Sequence, residues 1–209
     1  MNIAVTTEVS TREKNKVVVE ALKKTGNNII NAGMTGIGEE EELSYLHTGL
    51  ITAMLLNSGA ADLVVGGCGT GQGYINSCLQ YPGVFAGLVE SPLDAWLFRQ
   101  INGGNCISLA LNKGYGWAAD VNIDFILERF FSVESGAGYP PYRREAQKVY
   151  RDKLAGVSVK LHKTMPEILE CLPDEIVMPV LRREGIVDLI RSAPNGAEMM
   201  NVIEKRLAK

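Results

Sequence analysis

Histidine is nearly missing from this chain: among 209 residues there are only His47 and His162. Neighbouring positions therefore cannot supply an imidazole cluster for a zinc site. Cysteine is sparse as well. Cys68, Cys78, Cys106 and Cys171 are widely spaced and form no CxxC pair, which argues against a disulfide framework and a thiolate metal site. No metal and no cofactor is expected. There is no block of basic residues, and the net charge is -3, so neither nucleic acid nor an anionic membrane is an expected partner. No apolar run approaches the roughly 20 residues that cross a bilayer. The opening "MNIAVTTEVS" has no basic region, apolar core or cleavage site of a signal peptide. A cytoplasmic location is the expectation.

What is present reads as a globular domain. Hydrophobic residues make up 46% and charged residues 22%, enough to build a sizeable core. The first part alternates strand and helix patterns. "NIAVTT" (2–7), "NNIIN" (27–31), "ADLVVGG" (61–67), "GVFAGLV" (83–89) and "CISLAL" (106–111) read as strands. Between them, Val18, Ala21 and Leu22 share a helical face within 12–24. Leu43, Leu46, Leu50, Ala53 and Met54 repeat at helical spacing. Gly33, Gly36 and Gly38 mark a loop before that helix. Ser91-Pro92 with Asp94 has the form of a helix start. Trp117, Val121, Phe125 and Leu127 are placed on a helix ending near Phe131, with Trp96 and Trp117 as packing residues.

Single helices between strands imply right-handed crossovers and a parallel sheet covered on both faces. The expected fold is a Rossmann-like three-layer α/β sandwich with a five-stranded parallel sheet, plus a C-terminal helical extension. The Gly/Pro-rich stretch "SGAGYPPYRRE" (135–145) marks the boundary, giving a domain over 1–141 and an extension over 142–209. Thr164 and Glu167 have capping-box spacing within that extension. Ligands bind such sheets beyond the C-terminal strand ends, near Glu8, Gly33, Cys68, Glu90 and Leu111.

At one of those ends stands "GGCGTGQG" (66–73). A dinucleotide fingerprint requires G-x-G-x-x-G, and counting from Gly67 or Gly69 puts Gln72 or Tyr74 in the sixth position. The phosphate-loop pattern fails too, because no Lys-Ser/Thr follows. Backbone N–H groups still converge in such a loop and can stabilise an oxyanion or enediolate. A Cys68 thiolate there can serve as nucleophile or general base. The alternative is a tight strand-to-helix turn holding a small buried cysteine.

The loop and its surroundings resemble the type B ribose-5-phosphate isomerase family, which includes galactose-6-phosphate isomerase subunits. The resemblance rests on Asp62, "CGTG" at 68–71, Gly73, "PG" at 82–83, the Pro92 helix start and "NGGN" at 102–105, in one register over roughly 1–145. It implies aldose–ketose isomerisation of a phosphorylated pentose or hexose through a cis-enediolate. Cys68 is then the base and Thr70 the partner of the reacting oxygens. Amides of Gly69, Gly71 and Gly73 form the anion hole. Tyr45, Asn102 and Arg143 are the implied substrate-binding residues, with Arg144 adjacent; Glu8 at its strand end and Arg12 and Lys113 on strand-end loops are further candidate substrate contacts from their positions in this sequence. The family also implies a homodimer or homotetramer with sites between subunits. A non-catalytic sugar-phosphate-binding or assembly subunit is the alternative. The sequence departs from the family at three places. Glu8-Val9 stands where Asp-His is usual, Ile101 where a histidine precedes Asn102, and Tyr139 replaces one of two phosphate-gripping arginines. His47 reads as a surface or packing residue.

Overall fold

A computed structural model describes residues 1–36 and 41–208; Gly38 lies outside the described residues. Five strands, β1 (Asn2–Thr7), β2 (Asn28–Asn31), β3 (Leu63–Cys68), β4 (Ala86–Val89) and β5 (Cys106–Ala110), form one sheet in the order β2-β1-β3-β5-β4. Every neighbouring pair is parallel, so the three-layer α/β sandwich is the fold. Central β3 is buried at every position, as a parallel strand covered on both faces must be.

Helices α1 (Asn15–Lys23), α2 (Tyr45–Ser58), α3 (Gln72–Cys78), α4 (Pro92–Leu97) and α5 (Ala119–Phe131) follow the strands. Strand side chains alternate between faces. Ile3, Val5, Val65 and Ile107 therefore pack against Val18 and Leu22 of α1 and Leu127 and Phe130 of α5. Ala4 and Val64 point the other way, into the layer of α2 and α3.

The C-terminal part forms α6 (Arg144–Leu161), α7 (Met165–Cys171), α8 (Asp174–Arg182), α9 (Ile186–Ser192) and α10 (Ala197–Leu207). Leu169, Val177, Val180 and Ile190 of these helices join the same hydrophobic cluster as Leu50 and Met54 of α2. That explains an oddity of α2, which is apolar all round and buried continuously from Thr48 to Leu55. The sheet covers one side and α7, α8 and α9 the other. Helix α6 behaves differently: of its 18 residues only Ser158 is buried.

Two local expectations change. The segment 12–24 does not open as an α-helix, because Glu8 first caps a 3-10 turn over Val9–Lys14. Trp117 is not a packing residue: it precedes α5 and is 100% exposed. It lies among Gly114, Gly116 and Ala118, and Ala118 takes φ 61°, so the chain there loops outward before α5 begins. The caps read from sequence are formed. Ser91 Oγ accepts from Asp94 N at 3.1 Å, and Thr164 and Glu167 cap α7 reciprocally.

Candidate active site

The glycines of the 66–73 loop answer to different needs. A Cβ on Gly66 would run into Thr6 Oγ1 and the Tyr74 ring. That space belongs to the buried Tyr74 hydroxyl, 2.7 Å from both Thr6 Oγ1 and Thr52 Oγ1. Burial, and then the neighbouring Cys106 and Cys78 thiols, push the Tyr74 phenol well above its ordinary range. It is a neutral structural hydrogen-bonding group. Gly71 holds φ 74°, with Leu88 Cδ1 at 2.5 Å from where its Cβ would lie, so only glycine makes this turn without strain. At Gly69 neither demand applies. Nothing lies closer to its Cβ position than Asn112 Nδ2 at 3.4 Å and Ser10 Oγ at 3.6 Å.

Cys68 ends β3 and is 6% exposed, in register with Ala110 of β5. Since Thr7 of β1 is in register with Gly67, Glu8 follows beside Cys68. The Glu8 side chain is 4% exposed. Its Oε2 accepts from Ser10 N at 3.0 Å and its Oε1 accepts from Ser10 Oγ. Both oxygens are thus satisfied, which is what lets a carboxylate be buried here. Glu8 reaches the site through Ser10 rather than as a bare acid.

Thr70 is exposed, and its Oγ1 accepts from Gln72 N at 3.3 Å. Its own proton remains available to donate. The Gly71 N–H turns back onto Cys68 O at 3.3 Å. The anion hole read from the sequence therefore loses that amide to the loop itself. Gly73 lies in the first turn of α3, where backbone N–H groups have no intrahelical acceptor. The Tyr45 ring covers it, with Cδ1 3.0 Å from the Gly73 Cβ position. Ser44 caps α2 and so sets where Tyr45 begins. Arg12, on the turn after Glu8, pairs with Glu42 at 3.4 Å.

Asn102 and Arg143 stand apart from this loop. Asn102 is exposed at the end of a π-helical turn, Phe98–Asn102. It lines a cavity of about 460 Å³ with Phe85, Gln147, Tyr150 and Arg151, to which the Cys68 loop does not contribute. Arg143 is exposed on the short turn before α6. Lys113 pairs with Glu90 at 2.6 Å. His47 is structural: its Nδ1 accepts from Ser44 N at 2.9 Å and its Nε2 lies 3.1 Å from Glu175 O. That neutral tautomer is satisfied at both nitrogens. Asn105 clamps the start of β4, bonding Gly83 O and Phe85 N, both at 2.8 Å.

Sequence reasoning missed Ser10 and Asn112. Asn112 Nδ2 donates to Ser10 O at 2.9 Å, bringing the ends of β1 and β5 together over Gly69. The one available signal was their place just past two strand ends.

Comparison with known proteins places this geometry in context. A family profile described as Ribose/Galactose Isomerase matches residues 3–144. The chain is similar over its whole length to a 4-deoxy-L-threo-5-hexosulose-uronate ketol-isomerase whose structure was solved with a tartrate. Identity is 34%, coverage is 100% of both chains and the TM-score is 0.95. It is also similar to a ribose-5-phosphate isomerase from Vibrio parahaemolyticus, at 37% identity over 97% of this chain and 99% of that one, TM-score 0.90. The type B ribose 5-phosphate isomerase of Leishmania infantum shares the fold at 17% identity, covering 77% of this chain and 98% of that one, TM-score 0.65. No curated protein sequence matches the chain. The α6–α10 segment lies beyond the family match but within the span of the two full-length relatives. With its parallel sheet and its strand–CGTG–helix loop, the chain belongs to the ribose/galactose isomerase family and is a sugar isomerase, an intramolecular oxidoreductase.

Proposed function

We propose that the chain interconverts the aldose and ketose forms of a phosphorylated pentose or hexose through a cis-enediolate, with Cys68 as general base. The observation that carries this reading is the setting of Cys68. It ends the central strand beside open space at Gly69 and two residues before an exposed hydroxyl with a proton to donate.

The Cys68 thiolate takes the proton from C2 of the open-chain aldose, and the electron pair moves through C1–C2 onto the carbonyl oxygen. The Thr70 hydroxyl and the Gly69 and Gly73 amides meet the charge that develops there. The hydroxyl proton passes from O2 to O1, and the Cys68 thiol returns its proton to C1. Atoms and electrons balance without a redox partner. Tyr45 walls the pocket, and Arg12 and Arg143 hold the anionic end. Asn102 and Arg143 belong to the site of a second copy in a homodimer or homotetramer. This is supported by the separate cavity of Asn102 and by the exposure of Thr70 and Ser10, which leaves one side of the loop uncovered.

The test is turnover of a panel of pentose and hexose phosphates by wild type and Cys68→Ala. The variant should keep its circular-dichroism spectrum and lose at least about a hundredfold in kcat. Full activity in the variant removes Cys68 from the chemistry.

A second reading concerns the substrate's anion and whether it has a ring to open. The chain carries Val9 and Ile101 where the family has histidines, including the one tied to ring opening. A substrate that is already open-chain has no ring to open. A carboxylate sugar of the kind named for the uronate ketol-isomerase relative fits that lack. Adding 4-deoxy-L-threo-5-hexosulose-uronate to the panel decides between them by kcat/KM.

A further inference from the structure

We infer that Ser10 and Asn112 form a niche over Gly69 that reads a neutral substrate hydroxyl and so fixes which end of the substrate points away from Glu8. The inference rests on the isomerase reading above for the chemistry of the substrate. It begins from the glycine that the fold does not explain. Gly71 is required by its positive φ and Gly66 by Tyr74, but a methyl at Gly69 would meet nothing nearer than Asn112 Nδ2 at 3.4 Å and Ser10 Oγ at 3.6 Å. Those are ordinary van der Waals separations. A side chain there would fit the protein and fill the niche.

The walls have a defined polarity. Ser10 Oγ gives its proton to the buried Glu8 carboxylate, so its lone pairs are left to accept. Asn112 Nδ2 gives one hydrogen to Ser10 O at 2.9 Å and has a second to offer. The niche thus presents one acceptor and one donor. A hydroxyl satisfies both, donating to Ser10 and accepting from Asn112. A phosphate or carboxylate oxygen only accepts, and at Ser10 it would face an acceptor backed by the negative charge of Glu8. The anionic end of the substrate therefore lies away from this side.

The niche is also held in place. Asn112 N and Lys113 N both donate to Gly69 O at 2.9 Å, and Ser10 N is fixed on Glu8 at 3.0 Å. The arrangement belongs to three adjacent strand ends, those of β1, β3 and β5, and needs no induced movement to form.

Tartrate and succinate provide the test, because they share a four-carbon dicarboxylate skeleton and differ by two hydroxyls. Calorimetry on the wild-type protein should give tighter binding of tartrate by roughly tenfold, the worth of one or two net hydrogen bonds. Ser10→Ala and Gly69→Ala should each bring the ratio near one, Gly69→Ala without lowering the melting temperature and Ser10→Ala with only the loss expected from freeing one buried Glu8 oxygen, and Ser10→Thr should restore both. Cys68→Ala should keep the tartrate preference. Equal binding of the two acids by wild type, no binding of tartrate, or a preference that survives in both Ser10→Ala and Gly69→Ala overturns the proposal. Failure of the isomerase reading shows separately, as no turnover of any panel substrate by the wild-type protein.

Discussion

Two glycines of one loop, Gly66 and Gly69, separate packing from chemistry. Gly66 makes room for a buried tyrosine network, and an added methyl there has only side-chain atoms of Thr6 and Tyr74 to displace. Gly66→Ala should therefore cost about 1–3 kcal/mol by overpacking, read from the midpoint of urea unfolding. Gly69→Ala should stay within about 0.5 kcal/mol of wild type. A large loss at Gly69 would mean that the space above it is not free. At this scale the sequence was readable where chemistry and chain neighbourhood coincide. Cys68 and Thr70 sit in four consecutive residues that carry the family resemblance. Ser10 and Asn112 are about a hundred positions apart, |i−j| = 102, and meet only because β1, β3 and β5 are neighbours in the sheet. Glu8 was readable as a strand-end acid, but not as one whose oxygens are both taken by its own turn.

Helix α2 and its cap carry the argument at the level of elements. The His47 imidazole accepts from Ser44 N and reaches Glu175 O of α8, tying the start of α2 to the helix that covers it. His47→Ala removes both bonds and leaves the Ser44 N–H without its side-chain acceptor. A loss of about 1–2 kcal/mol follows. His47→Gln can rebuild the capping box but not the reach to Glu175, so it should recover part of that loss. Turnover of the best panel substrate should stay within a few-fold of wild type in the glutamine variant. A fall of a hundredfold or more would return this imidazole to the proton-transfer machinery. The sequence announced the polar signals at this level: the Ser91 and Thr164 caps are local, and local hydrogen bonds are written in local spacing. It announced the cover of α2 less well. Leu43 to Met54 read as one helical stripe, whereas the segment is apolar on every side because distant helices close over it.

For the whole molecule, the unresolved balance lies along α6. Tyr150, Leu154, Val157 and Leu161 fall at spacings of four, three and four and are all exposed, forming an apolar stripe about 16 Å long at 1.5 Å per residue. Charged and polar residues such as Lys148, Arg151 and Asp152 occupy other positions of the helix. Such a stripe on a helix surface is the pattern of a helix that packs against another element. Tyr150 and Leu154 also line the cavity that holds Asn102, so whatever covers the stripe closes over a residue assigned to the sugar site. On the homo-oligomer proposed above, a second copy docked there would cover the apolar face and would bring Asn102 and Arg143 to a Cys68 loop that they do not reach within their own chain. Sedimentation equilibrium should then find a dimer or larger assembly. The double variant Leu154→Glu with Val157→Lys changes only exposed positions, so each protomer should fold normally. It should shift the equilibrium toward monomer and lower kcat/KM by tenfold or more, with activity rising again as protein concentration is raised. A wild-type protein that sediments as a monomer with full activity would mean that each chain completes its own site. The role of Arg143 would then have to pass to a cation nearer the loop, of which Arg12 is the first to test.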